Sequence, residues 1–176
     1  AFRTLLSRRS RIVTIYNSID SKNPPIIWQR RLNKNVVRLV SDIGYSYKKG
    51  THTLLQSVER LLGLNYPVHL TLFGSIDGDN KSYWLNEISR FKNLYHSHVE
   101  LKTHEDKAAS LELIHQSDIY CFPSLGEGCS NARIQAMSIG IPMVSTNCGE
   151  LKDIGRSVSH IKLSEPGHEE GFHSAL

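Results

Sequence analysis

Pro123-Ser124-Leu125-Gly126-Glu127-Gly128-Cys129-Ser130-Asn131-Ala132-Arg133-Ile134-Gln135-Ala136-Met137-Ser138-Ile139-Gly140-Ile141-Pro142 joins two short apolar runs. The run before it, Asp118–Pro123, and the run after it, Pro142–Thr146, are rich in β-branched and aromatic residues and read as strands. Between them, Ser130 or Asn131 is placed to cap a helix over 130–139, and Gly140 is placed to end it. Strand, Gly-flanked acid, helix, strand is a βαβ unit, and such a crossover makes its two strands parallel.

The same rhythm continues upstream. Val36–Ile43, Val68–Phe73 and Val99–Lys102 read as strands. A helix capped by Thr51 carries Leu54, Leu55, Val58, Leu61 and Leu62 on one face. Further helices are expected over 80–94 and 106–116, and a last short strand over 158–163. Nearer the start, Ile12–Tyr16 has strand character and Asn17–Asp20 closes it as a turn. The expected organisation is an entry segment over 1–20, a basic linker loop over 21–35, a domain over 36–163 and a polar, frayed tail over 164–176. Strands alternating with helices specify a Rossmann-like α/β domain, a parallel sheet with helices on both faces. Ligands in such sheets bind beyond the carboxyl ends of the strands. The loops that matter therefore follow Ile43, Phe73, Lys102, Pro123 and Thr146.

Composition sets the outer limits. The 176 residues suffice for one buried core, and 39% apolar with 22% charged residues is ordinary for a globular domain. No apolar run reaches the ~20 residues of a membrane span. The opening Ala1–Arg9 is too short in apolar residues for a signal peptide, and without an initiator Met the chain reads as an excerpt or a processed piece. Residues 1–40 hold nine of the 21 Lys and Arg and one acid, Asp20. A basic end on a mildly acidic body fits an anionic membrane surface or an acidic neighbour, and equally a solvated loop. Nucleic acid is not expected, because no aromatic-rich basic motif accompanies the charge. Cys121, Cys129 and Cys148 form neither a zinc pattern nor a disulfide framework. Reduced thiols of this kind fit a cytoplasmic protein. His96 and His98 read as surface residues, and no metal site is expected.

The chemistry concentrates in the opening stretch. Small residues let a ligand approach the backbone, and the free N–H groups that start a helix suit a pyrophosphate. The helix start near Ser130 or Asn131 offers such groups. Glu127, just before those donors, can accept hydrogen bonds from hydroxyls attached to the phosphate. Gln135 lies deeper in the helix, within reach of a ribose. Many α/β domains carry a Gly-rich turn that only turns, so geometry alone does not decide.

The stretch resembles the signature of family-4 retaining glycosyltransferases of the GT-B fold, P-S-x-x-E-G-x-x-N-x-x-x-E-A-M-x-x-G-x-P-V-V-x-T. The match runs from Pro123 to Thr146, and Asn147–Ile154 resembles the Gly-rich turn that follows. Upstream, Ile15–Asp20 is similar to the hinge I-x-N-G-I/V-D, and Lys49-Gly50-Thr51-His52-Thr53-Leu54-Leu55 to K-G-x-x-x-L-L. Leu72-Phe73-Gly74 resembles the strand that ends in Gly. The resemblance implies the C-terminal, nucleotide-sugar-binding half of a two-domain enzyme of polysaccharide biosynthesis, with an acceptor-binding domain preceding it. The implied donor is a nucleoside-diphosphate sugar, with no cofactor and no metal. Hexosyl transfer would go with retention to a glycan or lipid-linked acceptor, in the cytoplasm or at the inner face of a membrane. Glu127 and Lys49 would be the catalytic pair, Glu127 on the donor sugar and Lys49 on the diphosphate. Gly128, Ser130, Asn131, Ala132, Gln135, Gly44 and Gly74 would line the donor site. The loops after Phe73 and around Lys102–His104 would border the base.

Four positions depart from the pattern. Gln135 replaces the second glutamate of the motif, and an amide accepts less strongly than a carboxylate. Ile43-Gly44-Tyr45 stands where the family has G-R-L, so an arginine anchor is missing. Ser18 replaces the hinge glycine, and Glu150 the second glycine of the turn. These departures keep a second reading in play, a degenerate domain that binds sugar nucleotide or a partner without catalysis. An unrelated Rossmann-like enzyme, such as a sugar-nucleotide epimerase, fits the long match around Glu127 less well.

Overall fold

The computed structural model describes residues 13–19, 27–29, 35–103 and 107–176. Six parallel strands form one sheet in the order β3-β2-β1-β4-β5-β6. In chain order these are β1 (Val37–Ser41), β2 (Val68–Phe73), β3 (Val99–Lys102), β4 (Ile119–Phe122), β5 (Met143–Thr146) and β6 (Ile161–Ser164). The helices are α1 (Thr51–Gly63), α2 (Lys81–Tyr95), α3 (Lys107–His115), α4 (Asn131–Ile139), α5 (Leu151–Ile154) and α6 (Glu169–Ala175). This is the doubly wound, Rossmann-like α/β order, and the winding direction reverses between β1 and β4.

The strands form where the apolar runs lie because parallel strands are covered on both faces. Leu39, Leu70 and Val99 stand side by side across β1, β2 and β3, all buried. In β4 and β5, Tyr120, Cys121 and Phe122 pair with Met143, Val144 and Ser145, all buried. The buried hydroxyls are placed against strand carbonyls: Ser41 donates to Cys121 O at 2.6 Å, and Ser145 to Phe122 O at 3.0 Å. In α1, Leu54, Leu55 and Val58 turn to the core, as their spacing requires.

Several expectations change. Thr51 is not the cap of α1; Gly50, in the left-handed region at φ 72°, holds that position. Thr51 instead donates from Oγ1 to Gly44 O and accepts from the Ser46 N–H, both at 3.0 Å, so it closes the loop before the helix. The expected strand at Ile12–Tyr16 has no strand structure over its described part, residues 13–16. Val13 and Ile15 are 63% and 88% exposed, because an isolated β-prone run without a neighbour has no ladder to join. Most of the basic linker 21–35 lies outside the described residues, but Trp28 is anchored. Its N–H donates to Ile139 O at 2.7 Å, and its indole Nε1 donates to Ser117 O at 2.8 Å. The polar tail is not frayed: α6 forms there because Phe172, 1% exposed, packs into the core. It also lies against α1, where Arg60 pairs with Glu170 at 2.6 Å.

No helix among the described residues is long and apolar enough to cross a membrane. His96 and His98 are exposed, in line with the surface reading.

Candidate functional site

The two loops that leave β1 and β4 are fastened to each other. The Leu125 N–H donates to Lys48 O at 2.9 Å, and Ser124 Oγ lies 3.3 Å from the same carbonyl. Gly50 makes the approach feasible: a Cβ there would lie 2.0 Å from Pro123 O. The result brings Lys49 to Glu127, Nζ to Oε1, at 2.7 Å. Ser124 Oγ donates to the same carboxylate oxygen at 2.9 Å. Burial opposes ionisation of Glu127, but the hydrogen bonds from Lys49 and Ser124 outweigh it and hold the carboxyl below its ordinary value. Its side chain is 14% exposed and that of Lys49 38%, so both face a surface that a ligand can reach.

Next to this pair, α4 begins. Ser130 is the cap, and its hydroxyl accepts from the Arg133 N–H at 3.4 Å. The Ser130 N–H is already engaged by Glu150 Oε2 at 3.3 Å, so it is not an open anion donor as expected. Asn131 and Ala132 retain the first-turn N–H groups that no helical carbonyl can reach. Gln135 sits one turn further on, half-buried. Gly140, at φ 77°, ends the helix with its N–H on Met137 O.

Gly44 and Gly74 form a second close contact at the ends of β1 and β2. Gly44 has φ 70°, and a Cβ on it would lie 2.4 Å from Ser75 O; a Cβ on Gly74 would lie 2.8 Å from the Gly44 Cα. These glycines serve loop-to-loop packing. The missing arginine is thus no simple replacement, because the backbone at position 44 leaves no space for any side chain. His104, expected beside the base, lies outside the described residues.

Two groups, Asp42 and Arg133, were not singled out from the sequence, and Glu150 was noted there only as a departure from the turn's glycine. Asp42, at the end of β1, accepts a hydrogen bond from Tyr120 of β4. Burial raises its carboxyl above the ordinary value, against the Tyr120 hydrogen bond and the Lys49 charge. Arg133 and Glu150 form a wholly buried ion pair at 2.8 Å. A carboxylate near the end of the strand-type run Val36–Ile43 was the available signal for Asp42. Nothing local marks Arg133, and the departure at Glu150 does not reveal its partner, because the pairing needs the β4 and β5 loops to be adjacent. The described end of the entry segment also reaches this region: Asn17 Nδ2 donates to Asn131 Oδ1 at 2.9 Å, and Tyr16 hydrogen-bonds Asp153.

A cavity of about 440 Å³, lined by Arg38, His69, His98, Glu100 and Gln116 among others, opens at the opposite, N-terminal end of the strands. Its volume does not make it the site: none of the Gly-rich loops or helix starts reaches it.

The family of Glycosyl transferases group 1 matches residues 34–176. The chain belongs to the group 1 glycosyltransferases. It is 27% identical over 125 residues to the capsular polysaccharide biosynthesis glycosyltransferase CapM of Staphylococcus aureus, covering 68% of this chain and 30% of CapM. It is 26% identical over 140 residues to glycogen synthase of Mycobacterium tuberculosis, covering 80% of this chain and 33% of that enzyme. The chain thus spans about a third of the length of these curated relatives. Among solved structures, the catalytic domain of Arabidopsis thaliana starch synthase IV bound to ADP and acarbose matches with a TM-score of 0.69 at 22% identity, over 84% of this chain and 31% of that one. Anabaena HepE in complex with UDP and glucose matches with 0.64 at 19%, over 80% and 37%. The fold of this group 1 domain is that of GT-B glycosyltransferases.

Proposed function

We propose that the chain is the C-terminal, donor-binding domain of a retaining GT-B glycosyltransferase that uses a nucleoside-diphosphate sugar. The observation that carries this reading is the Lys49–Glu127 contact at the β1/β4 switch point, beside the start of α4. Lys49 Nζ and the N–H groups of Asn131 and Ala132 supply positive potential for a diphosphate. Glu127 supplies a fixed acceptor for hydroxyls of the sugar attached to it. The similar starch synthase IV and HepE structures hold ADP and UDP, which supports a nucleotide here.

In the transfer step the bond from the anomeric carbon to the diphosphate oxygen breaks, and the acceptor oxygen bonds to that carbon on the same face. The acceptor proton passes to the departing diphosphate. Lys49 and the α4 N–H groups stabilise the negative charge that develops there, so the protein contributes positioning and electrostatics. The acceptor, a glycan or lipid-linked sugar, would bind on a preceding domain. A cytoplasmic protein, with the basic N-terminal residues against an anionic membrane face, fits this reading.

The deciding experiment is calorimetry and thermal shift of this chain with UDP, GDP, ADP and their sugars. A ligand that binds only the folded state must raise its stability. Saturable binding of one nucleoside diphosphate, weakened in Lys49→Ala, is the expected result; no binding of any of them would sink the reading. The second reading, a domain that binds donor but transfers nothing, draws on Gly44 and Gln135. Transfer activity of the two-domain protein would exclude it.

A further inference from the structure

Arg133 lies in the first turn of α4 with no exposed surface, where the helix dipole disfavours a cation. Its guanidinium is held from three sides. Nη2 donates to Glu150 Oε2 at 2.8 Å and to Cys148 O at 3.0 Å, Nη1 approaches Cys148 Sγ at 3.4 Å, and the group lies 4.9 Å over the Phe122 ring of β4. Glu150 is equally buried, and the oxygen that meets Arg133 also accepts the Ser130 N–H. Yet Arg133 Nε and Glu150 Oε1 have no hydrogen-bond partner.

Core stability does not explain such a pair. Desolvating two charges costs several kcal/mol per ion, and an apolar pair of similar volume often serves a core as well or better. An apolar pair cannot, however, hold backbone groups at fixed points. This pair fixes Ser130, which starts α4, and Cys148, which starts the turn after β5. That turn is pressed on the loop carrying Glu127: from the Cβ position of Gly149, Gly128 O lies 2.7 Å away and Glu127 O 3.1 Å. The Arg133 charge also reaches the Glu127 carboxylate and favours its ionised form.

We infer that Arg133 and Glu150 are positioning residues that hold the Glu127 loop and the start of α4 in the geometry a diphosphate-linked donor requires. This rests on the reading of that site as the donor site. The pair acts by tethering backbone, so removing both charges together loosens the loop while the core survives.

The test uses the whole chain with the double substitution Arg133→Met and Glu150→Gln, which keeps volume and leaves no unpaired charge. Amide hydrogen exchange is followed at Leu125, whose N–H is held by Lys48 O, and at Ile134, held by Ser130 O. Leu54 of α1 and Leu70 of β2 serve as controls. Exchange at Leu125 and Ile134 should quicken at least tenfold with the controls unchanged, and affinity for UDP or ADP should fall about tenfold with the thermal midpoint kept. Unchanged exchange at Leu125 overturns the inference, whatever the ligand does. If wild type binds neither UDP nor ADP but exchange responds as stated, the donor reading fails and the tether stands. Should the double variant not fold, Arg133→Lys keeps the charge, loses the fork, and is read by the same two amides.

Discussion

Lys49 and Glu127, 78 residues apart in the chain, meet at 2.7 Å between Nζ and Oε1. In the free domain each therefore occupies the other. A diphosphate that takes Lys49 must share it with Glu127, whereas a sugar on that diphosphate offers Glu127 hydroxyls in exchange. Bare nucleotide and sugar nucleotide should respond oppositely when the carboxylate is removed. Glu127→Gln frees Lys49 and removes a negative charge, so the bare diphosphate should bind as well or more tightly and the sugar nucleotide more weakly. Lys49→Ala should cost both about 1.5–3 kcal/mol and leave the bare nucleoside unaffected. Calorimetry with UDP, UDP-sugar and uridine, or their adenine counterparts, reads all three. Parallel losses for nucleoside and nucleotide would move Lys49 away from the phosphates.

Restoring the arginine of the related pattern should fail. Gly44→Arg asks for a side chain at φ 70° with Ser75 O at 2.4 Å from its Cβ. The backbone conformation alone costs about 1–3 kcal/mol, and the clash adds to it. Gly50→Ala, with Pro123 O 2.0 Å away, should be at least as damaging, because it parts the two loops that carry Lys49 and Glu127. Urea unfolding measures both. A Gly44→Arg protein as stable as wild type, with tighter nucleotide binding, would refute the packing account.

Gln135→Glu is the restoration the fold permits. Position 135 is half-buried within α4, which accommodates either residue. A carboxylate accepts ribose hydroxyls more strongly than an amide, while its charge works against the nearby diphosphate. The net gain should be on the order of 1 kcal/mol or less. Ribose nucleotides should gain over 2′,3′-dideoxy nucleotides in the mutant. An unchanged preference would show that position 135 does not read the ribose.

Asp42 gives the fold a pH dependence of a defined sign. Burial raises its carboxyl in the folded state, so the neutral form is favoured there. Below the ordinary carboxylate range both states are protonated and nothing is lost. As pH rises through that range the unfolded chain ionises first, and stability falls until the folded carboxyl ionises too. Asp42→Asn keeps an acceptor for Tyr120 and removes this loss. It should melt higher than wild type at about pH 7.5, with the difference closing by about pH 3. A variant less stable at neutral pH would mean that the charge itself supports the fold.

Much of this architecture is legible in the sequence, and the exceptions share one physical origin. The strands and the principal helices announce themselves through apolar periodicity, and α4 through Ser130 and Gly140 at its ends. What periodicity cannot show is which run finds a partner. Ile15 has the composition of a strand residue and no ladder, while Phe172, one apolar residue in a polar tail, finds a place in the core and carries α6 with it. The Lys49–Glu127 meeting follows from the switch point once the strand order is set. The Arg133–Glu150 pair does not, since Arg133 stands out in no local pattern and the reason for Glu150 in place of a glycine is visible only when two loops lie together. Gly44 shows the reverse: a deviation that looks like a lost contact proves to be a requirement of the backbone.

The bond from Leu125 to Lys48, with Gly50 set beneath Pro123, also bears on time. Two walls joined at the base do not wait for each other. A nucleotide arriving at this domain should meet its recognition groups already spaced, so rapid mixing should show one phase whose rate rises in proportion to ligand concentration. If the proposed second domain is joined to this one, any slower, saturating phase would then arise from its movement across the open side.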